Sequence, residues 1–333
     1  MKKITLYHIQ TLLLRHLKIM AIAIFIDAIW GDPKQIYNKI PHPIIWIGNL
    51  IDYLDKKLNH PQDTAPQQKR NGFLTLGLTV ALPCLIGYFI QKSLFKIFPK
   101  PIAYLLSGII GSIFIARRSL YEHVQDVSNA LEHPDINIAR HAVSQIVGRN
   151  TSQLDHSGIV RAAIESLAEN FSDGVTAPIF WGCIGGLPGI IIYKAINTAD
   201  SMIGHKTTKY QYFGYAAAKT DDYVNYPASR LSALWIILTA SKKPINDIKQ
   251  VIKEAKKHNS PNAGWPEAAM ATCLSIYLAG PRQYKDIVLN TAWIGNGRKE
   301  LNRNDIQNAL KIFLSACNIH YNLILFNLFF IPK

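Results

Sequence analysis

Carboxylate side chains are concentrated in the stretch ESLAENFSDGVTAPIFWG, just before the sequence becomes apolar. Arg161, Glu165 and Glu169 recur every four residues and therefore share one face of a predicted helix. An exposed ladder of ion pairs, worth ~0.3–0.5 kcal/mol per pair, accounts for the first two. It does not account for Glu169, Asn170 and Asp173, which stand together at the apolar boundary. Oxygen ligands at a water-accessible membrane boundary suit a hard cation, so we expect Mg²⁺ here.

A second polar stretch, Asn197–Leu231, contains many acidic and many basic residues. Its carboxylates are Asp200, Asp221 and Asp222, and its cations are His205, Lys206, Lys209, Lys219 and Arg230. An ordinary solvated loop can have this composition, so the pattern alone leaves a loop and a binding site open.

The stretch HNSPNAGWPEAAMA, residues 258–271, places a Pro-Asn-Ala-Gly turn before a predicted helix. Proline at the start of a helix and a glutamate in its first turn are ordinary helix-start chemistry. Helix initiation therefore explains Pro266 and Glu267. It leaves His258, Asn262 and Trp265 unexplained.

Two shorter motifs each permit two interpretations. Asp27 lies in an apolar segment, where a carboxylate is costly and is by default a functional candidate. Pro33 disfavours helix at Asp32, so a helix end followed by a turn is the alternative for this motif.

Arg117 and Arg118 directly follow another apolar segment. They are either a positive-inside stop signal or a clamp for phosphate oxygens.

The composition indicates a membrane protein. Of the 333 residues, 49% are hydrophobic and 17% are charged, less charge than a soluble domain usually carries. Because there is no linker, repeat or low-complexity run, we expect residues 1–333 to form a single membrane-embedded domain. The net charge of +14 is spread along the chain, which argues against nucleic acid and suits cytoplasmic loops and anionic substrates. The four cysteines are far apart, so neither a disulfide framework nor a zinc site is expected.

Apolar segments must position the polar stretches. Phe73–Ile90 and Ile102–Ala116 are predicted spans, whereas Leu231–Ala240 and Ile319–Ile331 are short for a core that needs ~20 residues. Val175–Ala195 is apolar but is broken by GCIGGLPG, which predicts a re-entrant hairpin. No period-2 pattern is sustained. The expected fold is mainly α, a polytopic integral membrane protein with polar cytoplasmic helices and loops.

Six blocks together resemble the adenosylcobinamide-phosphate synthase (CobD/CbiB) family. They are GDP…HP (Gly31–Pro43), IVGRNTSQLD (Ile146–Asp155), ESLAENFSDGVTAPIFW (Glu165–Trp181), YKAINTADSMIGHK (Tyr193–Lys206), FGYAAAKTDDYVNYPASRL (Phe213–Leu231) and SPNAGWPEAAMA (Ser260–Ala271). The blocks follow the family's order over most of the chain. One departure is Lys219, where the family pattern has arginine, so the charge is kept but the guanidinium fork is not.

The resemblance implies an ATP-dependent amide ligase of cobalamin biosynthesis. Such an enzyme joins a propionate carboxylate of adenosylcobyric acid to the amine of aminopropanol or its O-phosphate, giving adenosylcobinamide or its phosphate. A carboxylate is a poor electrophile, so ATP would activate it as an acyl phosphate before the amine attacks. That step needs Mg²⁺ to bridge phosphates, cations for the γ-phosphate and a base for the amine.

The residue types divide the candidates by role. For the metal they are Glu165, Glu169, Asp173 and Asp200. For phosphate, propionate or other substrate groups they are Arg117, Arg118, Arg149, Lys206, Arg230, His42, Asn262 and Trp265. Asp221 or Asp222 would be the base, with Glu169 also counted as catalytic.

The resemblance leaves a non-catalytic alternative, an integral-membrane sensor like the family's β-lactamase-induction relative. Retention of the acidic blocks and of SPNAGWPEAA favours the enzyme. Because ATP is cytoplasmic, the enzyme would lie in the cytoplasmic membrane with its active site facing the cytoplasm. The lipid bilayer, and other membrane enzymes of the corrinoid pathway, are the expected partners.

Overall fold

The computed structural model describes residues 2–284, 287–289 and 291–330. In these ranges the helices are α1 Lys2–Trp30, α2 Lys34–Tyr37, α3 Pro43–Leu58, α4 Ala65–Ile97, α5 Lys100–Ser112, α6 Arg117–Ala130, α7 Ile136–Ser144, α8 His156–Asn170, a π-helical turn Phe171–Thr176, α9 Ala177–Ile203, α10 Tyr215–Ala240, α11 Pro244–Ala255, α12 Gly264–Leu274 and α13 Arg303–Phe330. The strands are β1 Tyr277–Ala279, β2 Arg282–Tyr284, β3 Ile287–Leu289 and β4 Trp293–Gly295, paired antiparallel as β1–β4 and β2–β3. The predicted mainly-α class is confirmed.

Helical runs long and apolar enough to cross a membrane confirm the polytopic class. Within the described residues they are Ala65–Ile97, Lys100–Ala130, His156–Ile203 and Arg303–Phe329. The predicted spans Phe73–Ile90 and Ile102–Ala116 lie in the first two of these. The C-terminal segment was underestimated, because its apolar run continues a helix that begins at Arg303. Ile331 lies outside the described residues.

The chain divides into two compact units. The first unit comprises Met1–Ala116, Ala177–Val224 and Tyr321–Lys333, and the second comprises Arg117–Thr176 and Asn225–His320. The expectation of a single domain over residues 1–333 stays a prediction.

Helix α9 of the first unit contains a reversal of the chain. Gly186 has φ +62° and ψ −145°, a backbone conformation that helices do not contain and that glycine adopts without strain. A Cβ on Gly189 would collide with the carbonyl oxygen of Trp181, eight residues earlier, which a straight helix would hold far away. The two arms of α9 are therefore folded against each other. The reversal lies within residues 175–195, where the hairpin was predicted, and its re-entry into the membrane stays a prediction.

Side chains from two other helices satisfy the backbone at the tip of this hairpin. His16 Nδ1 on α1 lies 2.8 Å from the Ile184 carbonyl oxygen, and Gln91 Oε1 on α4 accepts from the Leu187 N–H at 2.8 Å. Irregular backbone at membrane depth is tolerable only when protein or water satisfies it. The hairpin is thus packed against α1 and α4 of the first unit.

We expect Gln91→Leu to destabilise the protein. The substitution keeps the side chain's size but removes the acceptor of the buried Leu187 N–H, at a cost of about 1–3 kcal/mol. Thermal unfolding in detergent measures the effect, with Gln68→Leu on the same helix as the control. Equal melting temperatures for the two variants would contradict the role given to Gln91.

Small residues bring the helices of the first unit close together. A Cβ on Gly72 of α4 would collide with the Phe213 carbonyl oxygen, so this glycine allows helix and loop to touch. Beside this contact, Ile51 on α3, Ala199 on α9 and Phe213 are buried in one apolar cluster. The cluster positions the polar stretch that follows α9.

In the second unit, α8 is buried along most of its length. The side chains of residues 159–164 are buried, except that of Arg161, which is half-buried. Leu167 and Ala168 are fully buried. Helix α12 and strand β1 pack against α8. Exposure returns only at Glu169 and Asn170, where α8 passes into the π-helical turn.

Candidate functional site

Glu165 forms a buried ion pair in the second unit. Its Oε2 atom lies 3.1 Å from Arg149 Nη2, and the two side chains are 8% and 13% exposed. Its Oε1 atom accepts from the backbone N–H of Ala279 at 2.7 Å, at the end of strand β1, where Ala279 has φ +55°. Both carboxylate oxygens are therefore held by protein donors. This arrangement supports a structural role for Glu165, and its assignment as a metal ligand stays a prediction.

Glu169 and Asp173 stand one turn apart at the end of α8. Glu169 is exposed and Asp173 is half-buried in the π-helical turn, a kind of irregularity that is frequent at functional sites. The neighbouring Asn170 amide donates to the Ser166 carbonyl oxygen at 2.9 Å. Glu169 and Asp173 are thus presented from one stretch of the second unit.

Asp200, the fourth predicted metal ligand, lies on α9 in the first unit and is half-buried. Across the residues that the structure covers, no group of three or more His, Cys, Asp or Glu side chains is arranged to hold a metal ion. The structure therefore does not test the predicted metal set.

Arg230 joins two of the sequence blocks in the second unit. Its Nη1 atom donates to Asn262 Oδ1 at 2.6 Å, and its Nη2 atom donates to the Pro261 carbonyl oxygen at 2.9 Å. The guanidinium lies 3.6 Å from the ring centroid of Tyr226 and 4.6 Å from that of Trp265. Three predicted binding residues, Arg230, Asn262 and Trp265, are thus brought together. Burial lowers the pKa of Arg230, and its contacts with Tyr226 oppose the shift.

Local hydrogen bonds shape the turn that presents Asn262. Ser260 Oγ accepts from the N–H groups of Asn262 and Ala263, both at 3.2 Å. His258 Nδ1 accepts from the Ser260 N–H at 2.9 Å, and its Nε2 lies 3.7 Å from the buried Glu267 Oε1. His258, which helix-start chemistry left unexplained, therefore organises this turn.

Arg149 and Arg230 share an unusual feature. In each, the Nε atom is buried and has no hydrogen-bond acceptor among the described residues. A buried donor without an acceptor is rare and requires an explanation. Both residues were predicted to bind phosphate or propionate, and that assignment stays a prediction.

We expect Arg230→Lys to destabilise the protein although the charge is kept. Arginine reaches Asn262 and Pro261 from two different nitrogens of a planar fork, whereas lysine has a single nitrogen, and the loss of one charged hydrogen bond costs about 1.5–3 kcal/mol. Thermal unfolding measures this loss, with the exposed Arg70→Lys as the matched control. A melting temperature like that of the control would show that the fork does not hold the turn.

In the first unit, His42 caps helix α3. Its Nδ1 atom accepts from the Ile44 N–H at 3.2 Å, which leaves the ring proton on Nε2, 3.1 Å from the Ile113 carbonyl oxygen. Asp32 Oδ1 lies 3.6 Å from the same Nε2 atom, and the Tyr37 ring packs 4.7 Å away. His42 therefore holds the GDP…HP block together, and its role in substrate binding stays a prediction.

A cavity of about 930 Å³ adjoins the GDP…HP block. Its lining is almost wholly apolar and comes from α1, α3, α5, α13 and the block itself. Among the lining residues are Phe25, Trp30, Ile36, Tyr37, Trp46 and Ile109. The sequence analysis did not predict this cavity, because its walls come from segments distant in the chain.

The base candidates lie on α10, in the first unit. Asp221 is buried, with Oδ1 at 3.4 Å from the Asn197 side-chain amide, and Asp222 is half-buried, 3.1 Å from Lys219 Nζ. Lys219, the departure from the family pattern, thus forms an ion pair with Asp222. The assignment of either carboxylate as the base stays a prediction.

Asp55 was missed by the sequence analysis. This buried residue of α3 lies 2.6 Å from Lys209 Nζ and 3.1 Å from the Tyr210 hydroxyl, and it anchors the loop that carries the exposed Lys206. The hydrogen bond to Asp55 raises the pKa of Lys209 above its ordinary value. The available signal was an acidic residue on the inward face of an amphipathic helix.

Arg117 and Arg118 begin α6 in the second unit. Arg117 Nη2 donates to the Asn318 side-chain oxygen at 3.1 Å. Arg118 Nε lies 2.6 Å from Glu122 in an exposed pair. Both interpretations of these arginines, stop signal and phosphate clamp, stay open.

The fold and these clusters define a class, a polytopic helical membrane protein that carries polar blocks on its helix ends and loops. The model of the family described as CobD/Cbib protein matches residues 20–313. The chain belongs to this family, which confirms the resemblance seen in the sequence.

Curated relatives support the assignment. A cobalamin biosynthesis protein CobD from Sinorhizobium sp is 40% identical over 309 residues, covering 91% of this chain and 95% of the relative. A protein of the same name from Rhodobacter capsulatus is 43% identical over 297 residues, covering 89% and 92%. Another, from Brucella anthropi, is 42% identical over 314 residues, covering 92% and 95%. No solved structure matches the chain.

Proposed function

We propose that the protein acts in cobalamin biosynthesis as an adenosylcobinamide-phosphate synthase. It would join a propionate carboxylate of adenosylcobyric acid to the amine of aminopropanol or its O-phosphate, at the expense of ATP. The observation that carries this proposal is the family match over residues 20–313, with relatives named for cobalamin biosynthesis along nearly their whole length.

The residues predicted to bind anions support the proposal. The Arg230, Asn262 and Trp265 assembly combines a charged donor with an aromatic surface, and Arg149 and Arg230 each have a buried Nε donor that needs an acceptor. Propionate and phosphate oxygens are suitable acceptors for arginine. Arg117 and Lys206 remain further candidates for phosphate.

The fit to Mg²⁺ is uneven across the predicted ligands. Glu165 fits poorly, because both of its oxygens accept from protein donors. Glu169 and Asp173 fit, since they present carboxylates one turn apart at an irregular helix end. We propose that these two hold the ion, and the assignment of Asp200, on the first unit, stays a prediction. When bound, Mg²⁺ would neutralise phosphate charge.

The acid–amine chemistry also needs a base. Asp221 or Asp222 would accept a proton from the amine, so that its nitrogen lone pair can attack the activated carboxylate. Because ATP is a cytoplasmic substrate, we place the site at the cytoplasmic side of the cytoplasmic membrane.

The test is a reaction with the purified, lipid-reconstituted protein. Adenosylcobyric acid, ATP and Mg²⁺ are incubated with labelled aminopropanol in one arm and with labelled aminopropanol O-phosphate in the other. Label in a corrinoid product, with ADP and phosphate released in equal amounts, is expected in at least one arm. Reactions without ATP are the control. Absence of labelled corrinoid in both arms would overturn the proposal and favour a non-catalytic role.

A further inference from the structure

A second cavity of the first unit, of about 760 Å³, lies between α1, the start of α5 and the end of α13. Leu14, Ile22 and Leu328 contribute to its apolar lining. Three cations, Arg15, Lys18 and Lys100, stand around it. The cavity therefore combines positive charge with apolar walls, on the unit that contains the candidate span α4.

Two of the cations are oriented by aromatic rings. The Arg15 guanidinium lies 4.8 Å from the ring centroid of Phe95, and Lys18 Nζ lies 5.4 Å from that of Tyr104. Tyr104 itself lines the cavity. The cation–π contacts hold the charged groups at the cavity without neutralising them.

The third cation stands at a helix start. Lys100 is the first residue of α5, where the helix dipole adds partial positive charge. No carboxylate lines the cavity, and none forms a salt bridge with Arg15, Lys18 or Lys100 in the described part of the chain. The positive charge is therefore left for a ligand to balance.

The surroundings decide which anion fits. A small soluble anion would satisfy the three cations but would leave the apolar walls without a partner. An anionic phospholipid satisfies both, because its phosphate can meet the cations while an acyl chain covers Leu14, Ile22 and Leu328. Basic pockets between membrane helices are suited to such headgroups.

We propose that this cavity, defined by Arg15, Lys18, Lys100 and Tyr104, binds the headgroup of an anionic phospholipid. The site is separate from the residues assigned to ligase chemistry and does not depend on the proposed function. The bound lipid would tie α1 to α5 and thereby stabilise the unit that contains the α9 hairpin.

Native mass spectrometry of the detergent-purified full chain tests the proposal. Phosphatidylglycerol and phosphatidylcholine are titrated separately against the wild type, against R15Q/K18Q/K100Q, and against K39Q/K56Q/K57Q, which removes three exposed cations of the same unit outside the cavity. We expect one tightly bound phosphatidylglycerol in the wild type and the control. The cavity variant should bind it about a hundredfold more weakly, since each cation contributes about fivefold.

Further measurements keep the outcome decisive. If the triple variant does not fold, the exposed single variant Lys18→Gln replaces it, with about fivefold weaker binding expected. Glycerol 3-phosphate is added as a soluble competitor and should not displace the lipid. Equal binding of the two phospholipids, unchanged binding to the cavity variant, or displacement by glycerol 3-phosphate would each overturn the proposal.

Discussion

Glu169→Gln should abolish ATP-dependent amide formation in a protein that still folds. Glu169 is exposed at the end of α8, four residues before Asp173, so the amide can replace the carboxylate without disturbing the core. A metal ion's stabilisation of transition-state charge is worth several kcal/mol, which corresponds to a loss of about 10²-fold or more in turnover. Product formation is measured across a range of Mg²⁺ concentrations.

The control for this prediction is Glu132→Gln, an exposed carboxylate of the same unit that pairs with Arg303. Its turnover and melting temperature should match the wild type. Glu169→Gln should have the melting temperature of the wild type but a much lower turnover. Near wild-type turnover of Glu169→Gln at limiting Mg²⁺ would show that the metal assignment of this residue is wrong.

Glu165→Gln should destabilise the protein by about 3–5 kcal/mol, because it leaves the charge of Arg149 buried and unpaired. Glutamine keeps an oxygen for the Ala279 N–H, so the substitution isolates the loss of charge from the loss of the backbone hydrogen bond. Denaturant unfolding in detergent is the measurement.

A double-variant cycle separates the ion pair from other effects. Arg149→Met alone should also destabilise, whereas Glu165→Gln with Arg149→Met should recover most of the loss, since no unpaired charge is left. If the double variant loses the sum of the two single losses, the pair does not interact and a structural role for Glu165 fails. A single variant as stable as the wild type would contradict it equally.

Local sequence patterns were sufficient to predict the class of fold and the chain reversal in α9. Apolar runs of membrane length identified the spans in α4 and α5, because hydropathy acts locally and needs no knowledge of the partner helix. The GCIGGLPG segment predicted the reversal that the structure shows at Gly186. Glycine permits a positive φ and proline fixes φ, and neither effect depends on a distant partner. The order of the six blocks was likewise sufficient to recognise the family.

The partners of individual side chains could be identified only from the tertiary structure. Asp55 pairs with Lys209 across 154 residues, and Glu165 accepts from Ala279 across 114. The residue types alone permitted a solvated ladder or a metal site at Glu165, because a carboxylate suits either. Only packing showed that this carboxylate is buried and that both of its oxygens accept from protein donors.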